Sequence, residues 1–129
     1  MTNDPRNRPA VADLKDLVAW QVAMDFAVGV YLATKSFPND ERFGLQLQLR
    51  RSGVSVPSNI AEGHGRVNRK EYARFVLIAR GSLKEAETQL ILACRLGYID
   101  DEAIQHLLAV SARINRLLAG LHKRLRRAP

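Results

Sequence analysis

Three histidines, one cysteine and a run of three acids are the residues whose chemistry could be catalytic or metal-binding, and their spacing supports neither. The positions one helical turn either side of His64, His106 and His122 hold Ile60, Asn68, Glu102, Val110, Leu118 and Arg126, so only Glu102 could join His106 on one face. Two ligands do not make a specific metal site. Asp100-Asp101-Glu102 lacks the alternating ligands and the glycine of a calcium loop and reads as a helix cap that complements the helix dipole. Glu62-Gly63-His64-Gly65-Arg66 has no strand before it and no Lys-Ser/Thr after it, which excludes a phosphate-cradling glycine loop. Cys94 has no visible base to make it a thiolate and reads as a small buried hydrophobe of a reducing compartment. No catalytic residue, metal or cofactor is expected, and the chain reads as a non-enzyme.

Two polar patterns remain. Arg51, Ser55, Ser58, Asn59 and Glu62 recur at helical spacing around Pro57, and Arg80, Gly81, Ser82 and Glu85 offer a comparable set further on. The expectation is a structural network of Arg51, Asn59, Glu62, Arg80, Ser82 and Glu85, in which Asn59 and Glu62 pair with Arg51 or Arg80 across a close helix crossing at Gly81 and Ser82. Such pairing would fix register, because an unpaired buried polar group costs about 1–3 kcal/mol.

The second pattern is basic. The chain carries a formal net charge of +7, but residues 1–102 hold 14 Lys/Arg against 13 Asp/Glu, whereas residues 103–129 hold six basic residues and no acid. Arg113, Arg116, Lys123, Arg124, Arg126 and Arg127 therefore form a candidate nucleic-acid surface, with Arg66, Arg69 and Lys70 as helpers. The competing reading is a solvated face whose cations complement the helix C-terminus.

These residues need elements to position them. With 129 residues, 47% hydrophobic and 26% charged, the chain has the size and composition of one globular domain. No apolar run reaches the roughly 18 residues of a membrane span, and no signal-peptide core is visible, so a cytoplasmic location without membrane contact is expected. Residues 1–12 read as a mobile arm, 13–125 as the bundle, and 126–129 as a basic tail.

The first helix, from Leu17 to about Lys35, is apolar nearly all round. Leu17, Trp20, Met24, Ala27, Val28 and Tyr31 share one face, and Val18, Val22, Phe26, Val30 and Ala33 lie roughly opposite. One stripe must face the core, and the other is either a subunit interface or the seat of a loop. Val18, Val22, Phe26 and Val30 are taken as the interface candidates. Asp13 or Asp16 should cap this helix, and Asn39 or Asp40 the next.

In the second helix, Leu45, Leu47 and Leu49 alternate as in a strand, yet Leu45, Leu49, Gly53, Val56, Ile60 and Gly63 keep helical spacing. Length favours a helix kinked at Pro57, with Gly63 or Gly65 as a left-handed cap. The third runs from about Asn68 to Leu96 with Tyr72, Val76, Ala79, Leu83, Ala86, Leu90, Ala93 and Gly97 as its seam. Gly81 in mid-helix costs about 1 kcal/mol relative to alanine, which suggests close helix approach. The fourth, from Asp101 to Leu125, turns Ile104, Leu107, Ser111, Ile114, Leu118, Leu121 and Leu125 inward. Four such helices with short turns predict an all-α up-down-up-down bundle.

The ordered set Leu17-x-x-Trp20-Gln21-x-Ala23-Met24, Phe37-Pro38-x-x-Glu41-Arg42-Phe43-Gly44-Leu45, Gln48-Leu49-Arg50-Arg51, Ser55-Val56-Pro57-Ser58-Asn59-Ile60-Ala61-Glu62-Gly63 and Ala79-Arg80-Gly81-Ser82-Leu83-x-Glu85 resembles the bacterial four-helix-bundle family. This is also called the 23S ribosomal RNA intervening-sequence protein family. The resemblance covers residues 14–99 closely and the fourth helix loosely; Ser52-Gly53 and Ala86 depart from the family's usual residues. It implies a homopentamer without enzymatic activity and kinship with the accessory variability determinant of diversity-generating retroelements, which binds nucleic acid and a reverse transcriptase. The expected function is thus a basic oligomer that binds RNA or DNA through backbone phosphates. The alternative is a scaffold or accessory subunit for an acidic protein or a polymerase.

Overall fold

The computed structural model describes residues 14–66 and 68–127, with side chains from Val18 onward. Helix α1 spans Leu14–Thr34, a single 3₁₀ turn spans Asn39–Glu41, and α2, α3 and α4 span Leu45–His64, Arg69–Arg95 and Asp101–Arg126. Consecutive helices pack side by side and α4 closes against α1, while neither diagonal pair brings its backbones into close approach among the described residues. This is a four-helix bundle of alternating direction, whose core is built where four apolar stripes meet.

The stripes of α2, α3 and α4 fall where their spacing places them. Leu45, Leu49, Gly53, Val56, Ile60 and Gly63 are all buried, as are Tyr72 to Ala93 along the α3 seam and Ile104 to Leu121 along that of α4. The strand-like alternation of Leu45, Leu47 and Leu49 is overridden, because only the helix brings Leu45, Leu49 and Val56 to one face. Pro57 sits buried inside α2, which continues through it to His64.

Helix α1 departs from the expected interface. Val22, Phe26 and Val30 are core residues, the last two fully buried, and only Val18 of the four interface candidates is exposed. It is the Trp20, Met24, Val28 and Tyr31 stripe that faces outward. Two apolar stripes on one helix give period alone no means of choosing; packing decides, with Val30 set against Gly53 of α2 and Gly29 against Leu107 of α4.

Several ends also differ. Asp13 lies outside the described residues, and Asp16 falls inside the first turn of α1. Helix α2 is capped by neither Asn39 nor Asp40: Gly44 occupies the N-cap, and the Glu41 carboxylate accepts the Leu45 amide at 3.0 Å. The other Glu41 oxygen accepts from the Tyr98 hydroxyl at 3.0 Å, tying the α1–α2 turn to the α3–α4 turn and raising the phenol's pKa. Gly63 stays helical and Gly65 ends α2 at φ −78°, so neither is a left-handed cap. Gly97, at φ +82°, is the left-handed residue that ends α3. Asn68 and Asp100 cap α3 and α4, accepting the amides of Glu71 at 2.7 Å and Ala103 at 2.8 Å. The arm 1–12 and residues 128–129 lie outside the described residues; Arg126 is the last residue of α4.

Candidate nucleic-acid interface

Antiparallel packing of α3 and α4 sets the start of one beside the end of the other, and with them two groups of cations separated by over fifty residues of sequence. Arg69, in the first turn of α3, donates through Nη2 to the carbonyl of Arg124 in the last turn of α4. Arg66, Arg69 and Lys70 thus share one end of the bundle with Lys123, Arg124, Arg126 and Arg127. The same carbonyl accepts the Arg127 amide at 3.3 Å, so Arg69 adds a second donor to the last turn of α4 and has a capping role beside any ligand role.

The other cations at this end are held differently. Arg66 pairs with Glu62 at 2.8 Å, and Arg74 with Glu71 at 3.2 Å, both exposed. The Arg74 hydrogen bond, then its charge, holds the Glu71 carboxyl below its ordinary pKa. Both guanidiniums lie against the Phe75 ring, at 4.9 and 4.7 Å from its centroid. His122, Lys123, Arg126 and Arg127 line a shallow recess of about 330 Å³ on α4. Burial, then Arg126 and Arg80, hold the His122 pKa below its ordinary value of 6.5.

Arg113 and Arg116 are exposed on α4 but belong to a different place. Eleven residues separate Arg113 from Arg124, about 16 Å along the axis at 1.5 Å per residue. The opposite end of the bundle carries Asp40, Glu41, Asp100, Asp101 and Glu102. Charge is therefore polarised along the bundle, an arrangement that steers a polyanion to one end.

The expected polar network breaks into separate links. Asn59 donates to the Ser55 carbonyl at 2.8 Å and to Ser55 Oγ at 2.9 Å, and Ser55 Oγ meets Ser82 Oγ at 2.8 Å, joining α2 to α3. One turn earlier, Ser52 donates to Gln89 at 2.7 Å. Arg80 turns to α4 instead and donates to Asn115 at 3.3 Å. Glu62 reaches only Arg66, while Arg51 and Glu85 sit exposed beside a polar recess with Gln48, Ser52 and Ser55. Nothing lies within 4 Å of a Cβ at Gly81, so the close crossing is not there. It is at Gly63, where a Cβ would come 2.8 Å from both Phe75 Cβ and Tyr72 Cδ1.

Two features escaped the sequence reading. His122 has no partner that would make it a metal ligand, but its place one turn before Arg126 is the sequence signal of this basic recess. The other is an apolar groove of about 620 Å³ between α1 and α2, lined by Trp20, Met24, Val28, Tyr31, Val54 and Pro57 among others, with Lys35 at one end. Arg50 holds Tyr31 in its wall, stacking 4.5 Å from the ring centroid while bonding Thr34 at 2.8 Å.

Residues 15–120 match the model of the 23S rRNA-intervening sequence protein family. The chain belongs to that family. A crystal structure of a protein from the S23 ribosomal protein family of Bacteroides thetaiotaomicron, itself described as of unknown function, superposes with a TM-score of 0.77 at 31% identity. The match covers 84% of this chain and 98% of that one. No curated protein matches. Membership of the 23S rRNA-intervening sequence protein family and the likeness to this bundle agree with the all-α fold described above. Among the described residues, no helix is long and apolar enough to cross a membrane.

Proposed function

We propose that this chain is a non-enzymatic homo-oligomer that binds RNA, or another structured nucleic acid, through backbone phosphates at the basic end of the bundle. The observation that carries the reading is the meeting of Arg66, Arg69 and Lys70 with Lys123, Arg124, Arg126 and Arg127, sealed by the Arg69–Arg124 hydrogen bond. Phosphate contacts of this kind give affinity without sequence readout. The basic helix carries no Phe, Tyr or Trp on which bases could stack, which favours backbone recognition. Assembly would multiply the effect: five copies, the number the family resemblance implies, carry roughly +35 and bind by avidity. The outward stripe of α1 supports assembly, since Trp20, Met24, Val28 and Tyr31 are exposed together and contiguous apolar patches mark interaction sites.

A scaffold for a protein partner, such as a polymerase, is the second reading. Phe43 favours it, lying 80% exposed at the end opposite the basic cluster, with Arg42 over its ring. Purification of the native protein with and without nuclease tests both. RNA that co-purifies and leaves on nuclease treatment supports the first; a protein partner retained through nuclease treatment, with no nucleic acid bound at low salt, replaces it with the second.

A further inference from the structure

We infer that the recess formed by His122, Lys123, Arg126 and Arg127 takes a terminal phosphate monoester of a nucleic-acid strand, so that the basic end of the bundle holds a strand end as well as its backbone. The inference rests on the nucleic-acid reading above and specifies the chemical group bound at this place. The cations of the basic end are not equally engaged. Arg66 and Arg74 are paired with Glu62 and Glu71, and Arg69 is held on the Arg124 carbonyl. Lys123, Arg126 and Arg127 differ: among the described residues no carboxylate pairs with them, and they stand exposed around one concavity of about 330 Å³.

Spacing makes the cluster tight. Lys123 lies three residues before Arg126 and four before Arg127, and His122 lies four before Arg126, so like charges are neighbours on one helical face. With no acid among them they repel one another, and a bound anion removes that repulsion. His122 contributes a half-buried imidazole to the wall, and Arg80 of α3, bonded to Asn115, adds its charge from the adjacent helix. The Arg124 carbonyl, which would repel an anion at this helix end, is covered by the Arg127 amide and the Arg69 guanidinium. A phosphodiester brings one charge, and its chain leaves on both sides. A terminal monoester brings between about 1.5 and 2 negative charges at pH 7 and three strong acceptor oxygens, and its chain leaves on one side only. Three unpaired cations and an imidazole converging on one recess match the second group, and each arginine can grip two of its oxygens at once.

Three RNAs of one sequence, labelled internally so that both ends are free, test the inference: one with a 5′-phosphate, one with a 3′-phosphate and one with hydroxyls at both ends. Fluorescence anisotropy at 50 mM salt should show the wild type binding a phosphorylated strand about tenfold more tightly than the hydroxyl strand, as one added charge-assisted contact gives. Which phosphorylated strand gains identifies the end. Arg126→Gln, a change at an exposed position, should lose most of this preference, whereas Arg95→Gln, the same loss of charge at the opposite end of the bundle, should keep it. Far-UV circular dichroism checks that both variants stay helical. Equal affinity for all three strands, or a preference undiminished in Arg126→Gln, would overturn the terminal-phosphate inference while leaving backbone binding in place. A wild type that binds none of the three would sink the nucleic-acid reading as well.

Discussion

Gly53 and Gly63 lie on the same buried stripe of α2, yet replacing each by alanine should move stability in opposite directions. A helix-interior glycine gains about 1 kcal/mol on becoming alanine, through chain entropy and burial of backbone. At Gly53 nothing opposes that gain, because the new methyl would meet three Val30 atoms at 3.5 Å, ordinary van der Waals contact. At Gly63 it would stand 2.8 Å from Phe75 Cβ and from Tyr72 Cδ1. Phe75 Cβ is tied to the α3 backbone and cannot swing aside, so α2 and α3 must part or both side chains must repack. Overpacking of this kind costs about 1–3 kcal/mol. The net expectation is about 1 kcal/mol gained for Gly53→Ala and about 1 kcal/mol lost for Gly63→Ala. At roughly 4 °C per kcal/mol for a domain of this size, the two melting temperatures should differ by about 8 °C. Thermal unfolding followed at 222 nm, with protein concentration held fixed, measures it. Equal melting temperatures, or Gly63→Ala the more stable of the two, would refute the assignment of the close crossing to Gly63.

Three further outcomes follow from the geometry. Glu62→Ala should change stability by less than about 0.5 kcal/mol, since its carboxylate makes only an exposed pair with Arg66; a fall of several degrees in melting temperature would restore a buried network. Ser111→Ala should cost about 1–3 kcal/mol, because the fully buried Ser111 hydroxyl donates a charge-assisted hydrogen bond to Glu87, whose other oxygen keeps its pair with Lys84; chemical denaturation reads the change. In the free protein His122 should titrate below 6.5 by NMR, so it is neutral at pH 7 and gains its charge as pH falls. Phosphates bound in its recess favour the imidazolium, so nucleic acid should raise the His122 pKa and bind more tightly at pH 5.5 than at pH 7.5; an unmoved pKa would place the ligand elsewhere.

How far the sequence could be read depends on what each residue's placement requires. The stripes of α2, α3 and α4 were legible because each helix has one apolar face, and a single face leaves no choice of orientation. Helix α1 was not, since Trp20 and Phe26 lie on opposite faces of equal hydrophobicity and only packing against the other helices decides between them. Polar pairing was poorly legible for the same reason. Asn59, expected to pair with Arg51 or Arg80, instead bonds Ser55, which reaches Ser82, and Arg80 points to α4, because rotation about α3 separates Arg80 from Ser82. The basic residues were legible as a list, whereas their division into an end cluster and the remote Arg113 and Arg116 needed the antiparallel packing of α3 on α4.

Binding of a labelled single-stranded RNA as salt is varied tests the central claim most directly. Fluorescence anisotropy should show the wild type binding at 50 mM salt, with log K falling linearly against log salt. A Lys123→Gln/Arg126→Gln/Arg127→Gln variant, which leaves the Arg69–Arg124 cap intact, should bind more weakly and lose about 2 from the slope, as about 0.7 per phosphate contact requires. No binding by the wild type at 50 mM salt, or an unchanged slope in the variant, would contradict the account.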